Sequence, residues 1–239
     1  MCWWRKSMPS SPRKPEPVLD ERLSAAAAYV RPGARMADIG CDHGKLCAAL
    51  AARGTCEKIF ACDIREKPLA RARELLAPYL ASGLAECRLG DGLTVLAPGE
   101  ATDIVIAGVS GVTACQILEA GREQWTQGVR FIFVPPTKHS VLRLFLAENG
   151  FALLDETPVC AAGRYYTVMC AEYTGERRTL TPLESAVGRA VKPTAEAHGY
   201  LLRVEQLAEK YARGAKTQEE KEMLADLCGQ IRKAAESCL

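Results

Sequence analysis

The sequence predicts an α/β protein with a doubly wound, mostly parallel sheet of seven strands, followed by a C-terminal α-helical hairpin. Short apolar runs alternate with longer helical patterns from residue 20 to about residue 173. Continuous apolar strands separated by helices are typical of a parallel sheet that is covered by helices on both faces. After Gly175 no strand-like run remains, and apolar residues such as Leu201, Val204 and Ala208 recur at helical spacing.

Each element follows from a local pattern. Apolar runs that end near glycine or aspartate predict five parallel strands, at 36–39, 58–62, 85–89, 103–107 and 129–134. Periodic segments predict helices at 23–30, 45–53, 68–81, 112–125 and 141–149. Two further runs, 151–156 and 165–172, are joined by a short link that contains glycine, so we expect an antiparallel strand pair at one edge.

Length and composition indicate one ordinary domain with an appendage. The 239 residues divide into a tail (1–17) that we expect to be disordered, a ligand-binding domain (18–175) and a helical arm (176–239). The formal net charge of +2 does not by itself indicate a nucleic-acid partner. Only the tail has a clear basic excess, with four Lys or Arg against one Glu.

The eleven cysteines are scattered singly, without a C-x-x-C pair or the Cys/His spacing of a zinc site. This pattern favours reduced thiols in a cytoplasmic protein and predicts no metal site. No run approaches the roughly 18 apolar residues that a membrane span requires. The tail has no long apolar stretch, so it does not resemble a secretory signal.

The segment from Arg35 to Gly44 has the layout of a nucleotide site. A strand ends at Asp38, a glycine-containing turn follows, and Asp63 closes the next apolar run, 23 positions after Gly40. The turn lacks G-x-G-x-x-G, and the sequence contains no G-x-x-x-x-G-K-[ST], which disfavours a dinucleotide or a triphosphate. Carboxylates within the turn, Asp38 and Asp42, would repel a pyrophosphate. They suit a cationic ligand such as the sulfonium and ammonium of S-adenosylmethionine (SAM).

The turns after strands one to four are expected to meet at the carboxyl edge of the sheet. They supply Gly40 and Asp42, Asp63 and Ile64, Asp91 and Gly92, and Ala107 and Gly108. Asp63 can accept hydrogen bonds from ribose hydroxyls, Asp91 from an adenine amino group, and the carbonyls of Ala107 and Gly108 from an ammonium. Any one of these residues could be ordinary turn chemistry. The ordered set of four favours a binding site.

The sequence also resembles the bacterial tRNA (adenine(22)-N1)-methyltransferase family over about residues 19–173. The strings that carry the resemblance are Leu19-Asp-Glu-Arg-Leu23, Ala37-Asp-Ile-Gly-Cys-Asp-His-Gly44, Gly90-Asp-Gly92 and Ile104-Val-Ile-Ala-Gly108. The second string is the most specific, because most class I methyltransferases have a second glycine where this chain has Asp42.

The resemblance implies a Rossmann-like class I methyltransferase that uses SAM to methylate N1 of an adenine in tRNA. The SAM-binding roles of the family carry onto Asp38, Gly40, Asp42, His43, Asp63, Asp91 and Gly108. Affinity for tRNA would come from phosphate contacts. The expected donors in the folded part are Arg22, Arg189, Lys192 and Arg203. We expect the arm to help hold tRNA rather than the cofactor.

Catalysis by such an enzyme would depend mostly on positioning, because adenine N1 is a neutral nucleophile with an exposed lone pair. The catalytic residues therefore stay open, with His43, Pro136 and His139 as weak candidates. Two turns depart from the family pattern, at 107–111 and 134–137. The alternatives left open are a SAM-dependent methyltransferase of a small molecule or protein, and a non-catalytic binding module. The oligomeric state, monomer or homodimer, also stays open.

Overall fold

The structure is a computed structural model that describes residues 16–239. Its strands are β1 (Ala34–Ile39), β2 (Cys56–Asp63), β3 (Ala85–Leu89), β4 (Asp103–Ala107), β5 (Arg130–Val134), β6 (Phe151–Ala161) and β7 (Arg164–Tyr173). Its helices are α1 (Glu21–Tyr29), α2 (Lys45–Arg53), α3 (Glu66–Ala81), α4 (Gly111–Ala120), α5 (His139–Glu148), α6 (Pro182–Val187), α7 (Ala195–Gly214) and α8 (Gln218–Glu236).

The seven strands form one sheet in the order β3-β2-β1-β4-β5-β7-β6. Strands β1 to β5 pair in parallel, whereas β7 runs antiparallel to both β5 and β6. The predicted fold class is therefore confirmed, including the antiparallel edge. The strand order reverses direction at β1 and β4, which places a ligand crevice at the carboxyl ends of these two strands.

Two apolar cores flank the sheet because side chains alternate between its faces along each strand. On β5, Ile132 packs into a core with Met36, whereas Phe131 and Phe133 pack into a second core with Ile104. All five side chains are fully buried. Burial on both faces explains why these strands are continuously apolar rather than alternating.

Two predicted boundaries were wrong. The helix expected over 112–125 ends at Ala120, and a short 3-10 turn follows. A Cβ on Gly121 would lie 2.3 Å from the Cβ of Leu93, so the chain turns away here at a point of close packing. The strand expected to stop at residue 156 continues to Ala161 through Pro158. A proline is tolerated there because β6 is the edge strand.

The arm forms the predicted antiparallel hairpin, preceded by the short helix α6. Only three residues separate α7 from α8, and Nδ1 of His198 near the start of α7 lies 2.9 Å from the carbonyl oxygen of Ala235 near the end of α8. Buried Leu201 and Ile231 belong to an apolar core that the arm does not share with the sheet. The two helices of the hairpin are therefore held together by their own apolar contacts.

A buried ion pair joins the arm to the sheet. The Nε and Nη2 atoms of Arg143 on α5 each donate to Glu156 on β6 over 2.8 Å, and both side chains have no exposed surface. Tyr200 of α7 lies 2.9 Å from Nη2, and the carbonyl oxygens of Ser185 and Ala186 accept from Nη1 at 3.0 and 2.7 Å. The arm thus supplies three of the five hydrogen bonds that compensate the buried guanidinium.

Further properties hold for the described residues. The ten cysteines between residues 16 and 239 are free thiols. In the same range, no group of three or more His, Cys, Asp or Glu side chains is placed to hold a metal ion. No helix of this part of the chain is long and apolar enough to cross a membrane. The predicted tail, with Arg5, Lys6, Arg13 and Lys14, lies outside the described residues except for positions 16 and 17.

We expect Glu156→Ala to lower the free energy of unfolding by about 3–5 kcal/mol, because it leaves the Arg143 charge buried without a counterion. Urea denaturation of the full chain measures the loss. Glu119→Ala is the matched control, since it breaks the half-exposed pair of Glu119 with Arg122 and should change stability little. Equal losses in the two variants would contradict the role given to the buried pair.

Candidate active site

A cavity of about 640 Å³ lies over the carboxyl ends of β1, β4 and β5. Residues 18–23, which lead into α1, form the opposite wall. Six of the residues predicted to bind cofactor line this cavity: Asp38, Gly40, Asp42, His43, Ala107 and Gly108. The sequence pattern therefore identified one wall, while most of the wall from 18 to 23 was missed because its residues have no glycine or strand-end signal.

Glycines open the floor of the cavity. Gly40 and Gly108 have φ angles of +78° and +80°, which L side chains rarely adopt. A Cβ built on either residue would meet no protein atom within 4 Å. The backbone conformation requires glycine at both positions, and the space beside them is free for a ligand to approach the main chain.

Asp63 connects the turns after β1 and β2. Its side chain is buried, its Oδ2 accepts from the backbone N–H of Asp42 at 3.1 Å, and its Oδ1 accepts from the backbone N–H of Arg65 at 2.8 Å. Asp42 has a φ of +50°, a conformation that aspartate tolerates better than most residues. Asp63 does not line the cavity itself, but it fixes the turn that does.

The carboxyl group of Asp38 is buried at the base of the cavity and accepts a hydrogen bond from Sγ of Cys47 at 3.4 Å. Burial, against the opposing bond from Cys47 and with smaller increases from the negative charges of Asp63 and Asp42, raises the pKa of Asp38 to about 7. A positive ligand group in the cavity would favour the ionised form. Asp38 is thus the carboxyl group whose charge a cationic ligand would change most.

At the mouth of the cavity, the His43 ring lies between the carboxylate of Asp42 and the guanidinium of Arg71. Its Nδ1 lies 2.5 Å from Oδ2 of Asp42, and its Nε2 lies 2.6 Å from Nη1 of Arg71. Arginine can only donate, so Nε2 accepts and Nδ1 carries the proton that is donated to Asp42. The Nε2 lone pair is therefore occupied in this arrangement and is not free to take a proton from a substrate. Arg71 was not singled out from the sequence.

The turn after β3 lies beyond the residues that line the cavity. Ile64 follows Asp63 and is 60% exposed, and Asp91 is exposed. The backbone N–H of Gly90 donates to the carbonyl oxygen of Asp63 at 3.1 Å, which keeps the two turns adjacent. Gly92 has a φ of +53° and packs against Ile117. These residues flank the cavity on the side of β2 and β3.

The turns after β4 and β5 are tied together. The N–H of Gly108 donates to the carbonyl oxygen of Val134 at 3.1 Å, and the N–H of Gly111 donates to that of Thr137 at 2.9 Å. A Cβ on Gly111 would lie 2.1 Å from the Lys138 carbonyl oxygen, so only glycine fits. Ser110, which departs from the family pattern, accepts from the N–H of Thr113 and so caps α4.

Pro136 is exposed on the second of these turns, whereas His139 points away from the cavity. The Nε2–H of His139 donates to the carbonyl oxygen of Pro135 at 2.9 Å, and its ring packs edge-on against Tyr200 of the arm. Burial and, to a smaller extent, the charge of Arg143 lower the pKa of His139 to about 4. His139 is therefore a neutral side chain at the junction with the arm.

The predicted substrate-binding cations lie in different environments. Arg22 lines the cavity, where its Nη2 donates to Asp20 at 2.6 Å and its guanidinium lies 5.0 Å from the centre of the Tyr166 ring. On the arm, Nε of Arg189 donates to the carbonyl oxygen of Leu153 at 2.6 Å, and Nζ of Lys192 lies 2.8 Å from Asp155. Arg203 is exposed on α7.

Residues 19–169 match the family model described as a methyltransferase domain. The chain belongs to this methyltransferase family. The match covers the whole sheet up to β7 together with both walls of the cavity. The methyltransferase domain that the sequence strings imply is thereby confirmed.

A relative from Bacillus subtilis extends over nearly the whole methyltransferase chain, both in sequence and in structure. The tRNA (adenine(22)-N(1))-methyltransferase of Bacillus subtilis is 29% identical over 223 residues, which cover 89% of this chain and 94% of the relative. The crystal structure of the B. subtilis m1A22 tRNA methyltransferase TrmK superposes with a TM-score of 0.78 at 28% identity, over 94% of this chain and 100% of that one.

Another solved structure shares the fold at lower identity. The structure of TrmK from M. capricolum in complex with S-adenosyl-homocysteine has a TM-score of 0.76 at 21% identity, and it covers 92% of this chain and 99% of that one. All of these alignments extend well beyond residue 175, so the helical arm is part of the shared architecture.

We expect Asp38→Asn to change how stability depends on pH. Between pH 3.8 and about 7 the unfolded chain releases the Asp38 proton and the folded protein keeps it. The group therefore lowers the wild-type free energy of unfolding as pH rises through this window. Urea denaturation without ligand should show the variant gaining relative to wild type from pH 4 to 7, and levelling off above. A difference that is independent of pH would contradict the raised pKa.

Proposed function

We propose that this methyltransferase uses SAM to methylate N1 of an adenine in tRNA, at the position numbered 22 in the relative from B. subtilis. The observation that carries the proposal is the acidic, glycine-floored cavity at the carboxyl ends of β1 and β4, in a chain whose relatives of this name align over nearly their full length. The non-catalytic alternative is disfavoured because this cavity is formed in full.

The cavity fits SAM in its shape and its donor set. Gly40 and Gly108 leave open space beside the main chain, and carbonyl groups and the Asp38 carboxyl suit an ammonium group. Asp63 uses one lone pair on each carboxylate oxygen for the turns, so each oxygen retains acceptor capacity for a ribose hydroxyl. Exposed Ile64 supplies an apolar surface for a base beside Asp63.

Bound SAM supplies an electrophilic methyl group, and the residues of the protein have to hold the acceptor in place and exclude water. Adenine N1 attacks with its own lone pair and needs no general base. The structure agrees with this requirement, because Nε2 of His43 is occupied by Arg71 and His139 faces the arm. The wall formed by residues 18–23 covers the cavity opposite the strand ends.

The target base has to leave its stack and its pairing, because N1 lies on the Watson–Crick edge. Arg22 lies at the cavity wall beside Tyr166, where its planar group can contact an extruded base. The tied turns after β4 and β5 form the neighbouring wall. An arginine fixed by Asp20 and an aromatic ring is preorganised for this contact.

Transfer of radiolabelled methyl from SAM to a tRNA transcript tests the proposal. Because N1-methyladenine cannot form a Watson–Crick pair, reverse transcription should stop at the modified position. We expect label and stop with the wild-type transcript, and neither with a transcript in which adenine 22 is replaced by guanine. Methylation of both transcripts, or of a small molecule or protein but not of tRNA, would contradict the proposed substrate.

We expect Asp63→Ala to weaken SAM binding by roughly 10- to 100-fold, because hydrogen bonds to a charged acceptor contribute about 1.5–3 kcal/mol. Titration calorimetry measures the affinity. Asp226→Ala is the control, since this aspartate accepts only from Gln230 on the exposed side of α8 and should leave affinity unchanged. If both variants bind SAM as tightly as wild type, Asp63 does not belong to the cofactor site.

A further inference from the structure

We propose that the phosphates of the RNA substrate bind to a cationic rim formed by Lys45, Arg65, Lys67 and Arg71, on the turns after β1 and β2. This inference deepens the proposed function and rests on it. All four side chains are exposed. The sequence-based prediction placed the RNA contacts instead on the basic tail, on Arg22 and on the arm.

Direct contacts place the rim beside the mouth of the cavity. Lys45 and His43 line the cavity, and His43 accepts from Arg71 at 2.6 Å. The backbone N–H of Arg65 is bonded to Asp63, which also holds the turn of Asp42. Lys67 precedes Arg71 by four residues on α3, so the two side chains share one face of that helix.

The acidic groups near the rim are largely engaged. Asp42 accepts from His43, and Glu66 is paired with Arg73. Asp63 is buried beneath the turn. Within residues 16–239, no carboxylate pairs with Lys45, Lys67 or Arg71, whereas Arg65 approaches Asp63 at 3.7 Å. The rim therefore keeps a net positive charge, to which the amino termini of α2 and α3 add partial positive charge.

Several cations of the arm, including two of those predicted from the sequence, are engaged within the protein. Lys192 is paired with Asp155, and Arg189 bonds to a carbonyl oxygen of β6. Arg232 is paired with Glu205 and Glu209. These bonds hold the arm against the sheet or hold its helices together, whereas Arg203 stays exposed on α7. Phosphate contacts from the rim require no such bond to break.

Arg71 is oriented for a phosphate. A guanidinium carries five N–H donors, of which His43 takes one, and the remaining donors retain the planar fork that matches phosphate oxygens. His43 is then a positioning residue, which acts through Arg71 rather than on the reacting base. A phosphate bound at the rim would place the adjoining nucleotide beside the cavity mouth.

Binding of tRNA, followed by fluorescence anisotropy at several salt concentrations, tests the rim without requiring turnover. We expect Arg71→Ala to weaken tRNA binding about 3- to 10-fold and to reduce the slope of log affinity against log salt by about 0.7–0.9, the value for one phosphate contact. The triple variant Arg65→Ala, Lys67→Ala, Arg71→Ala, which leaves the cavity lining intact, should reduce the slope by roughly two to three such units.

Arg122→Ala is the matched control, because Arg122 lies between α4 and β5 and belongs neither to the cavity lining nor to the rim. It should leave the salt slope unchanged. SAM affinity, measured by calorimetry, should be near the wild-type value in every variant, which verifies that each is folded. If the triple variant binds tRNA with the wild-type salt slope, or if Arg122→Ala reduces the slope equally, the rim is not the phosphate site.

The same measurements separate the rim from the proposed reaction. Wild-type protein that binds tRNA through the rim but transfers no methyl group would overturn the proposed function and leave the rim supported. Methyl transfer to adenine 22 with an unchanged salt slope in the triple variant would support the function and overturn the rim. Wild-type protein without tRNA affinity overturns both.

Discussion

The site depends on one buried carboxylate, that of Asp63, which holds the turns after β1 and β2 by accepting from the backbone N–H groups of Asp42 and Arg65. Because Asp42 is fixed in this way, its side chain meets His43, and His43 meets Arg71. These two hydrogen bonds therefore fix the turn that lines the cofactor cavity and, through His43, the contact to Arg71 of the rim. A single residue links the position of the cavity floor to the position of the proposed phosphate contacts.

This arrangement concentrates negative charge where the main chain is most open. Asp38 and Asp42 line the cavity and Asp63 lies directly behind it, so a cation stabilises the site and an additional anion destabilises it. Lys67 and Arg71 on α3 are not among the residues that line the cavity, and Lys45 of α2 lies at its mouth. Such a separation of an acidic cavity from the proposed cationic rim would suit a cationic cofactor and a polyanionic substrate. A different interaction holds the arm, because its residues accept hydrogen bonds from Arg143 of the buried pair with Glu156.

The sequence was sufficient for the sheet and for one wall of the cavity, because continuous apolar strands and strand-end glycines are local signals. It was insufficient where a contact joins distant segments. Arg71 lies 28 residues from His43, and no pattern in the sequence indicates that they meet. The end of α4 is set by Leu93 packing against Gly121, which is likewise a tertiary contact. The arm cations were visible in the sequence, but their partners on β6 were not.

If the acidic cavity binds SAM as a cation, the Asp38 carboxyl should ionise and release its proton when SAM binds. Titration calorimetry at pH 6.5 in two buffers of different ionisation enthalpy measures the number of protons released per SAM bound. From a pKa of about 7 for Asp38, we expect release of a substantial fraction of a proton as the carboxyl ionises. Asp38→Asn should release none. Tight SAM binding by the wild type with no proton release would contradict the account.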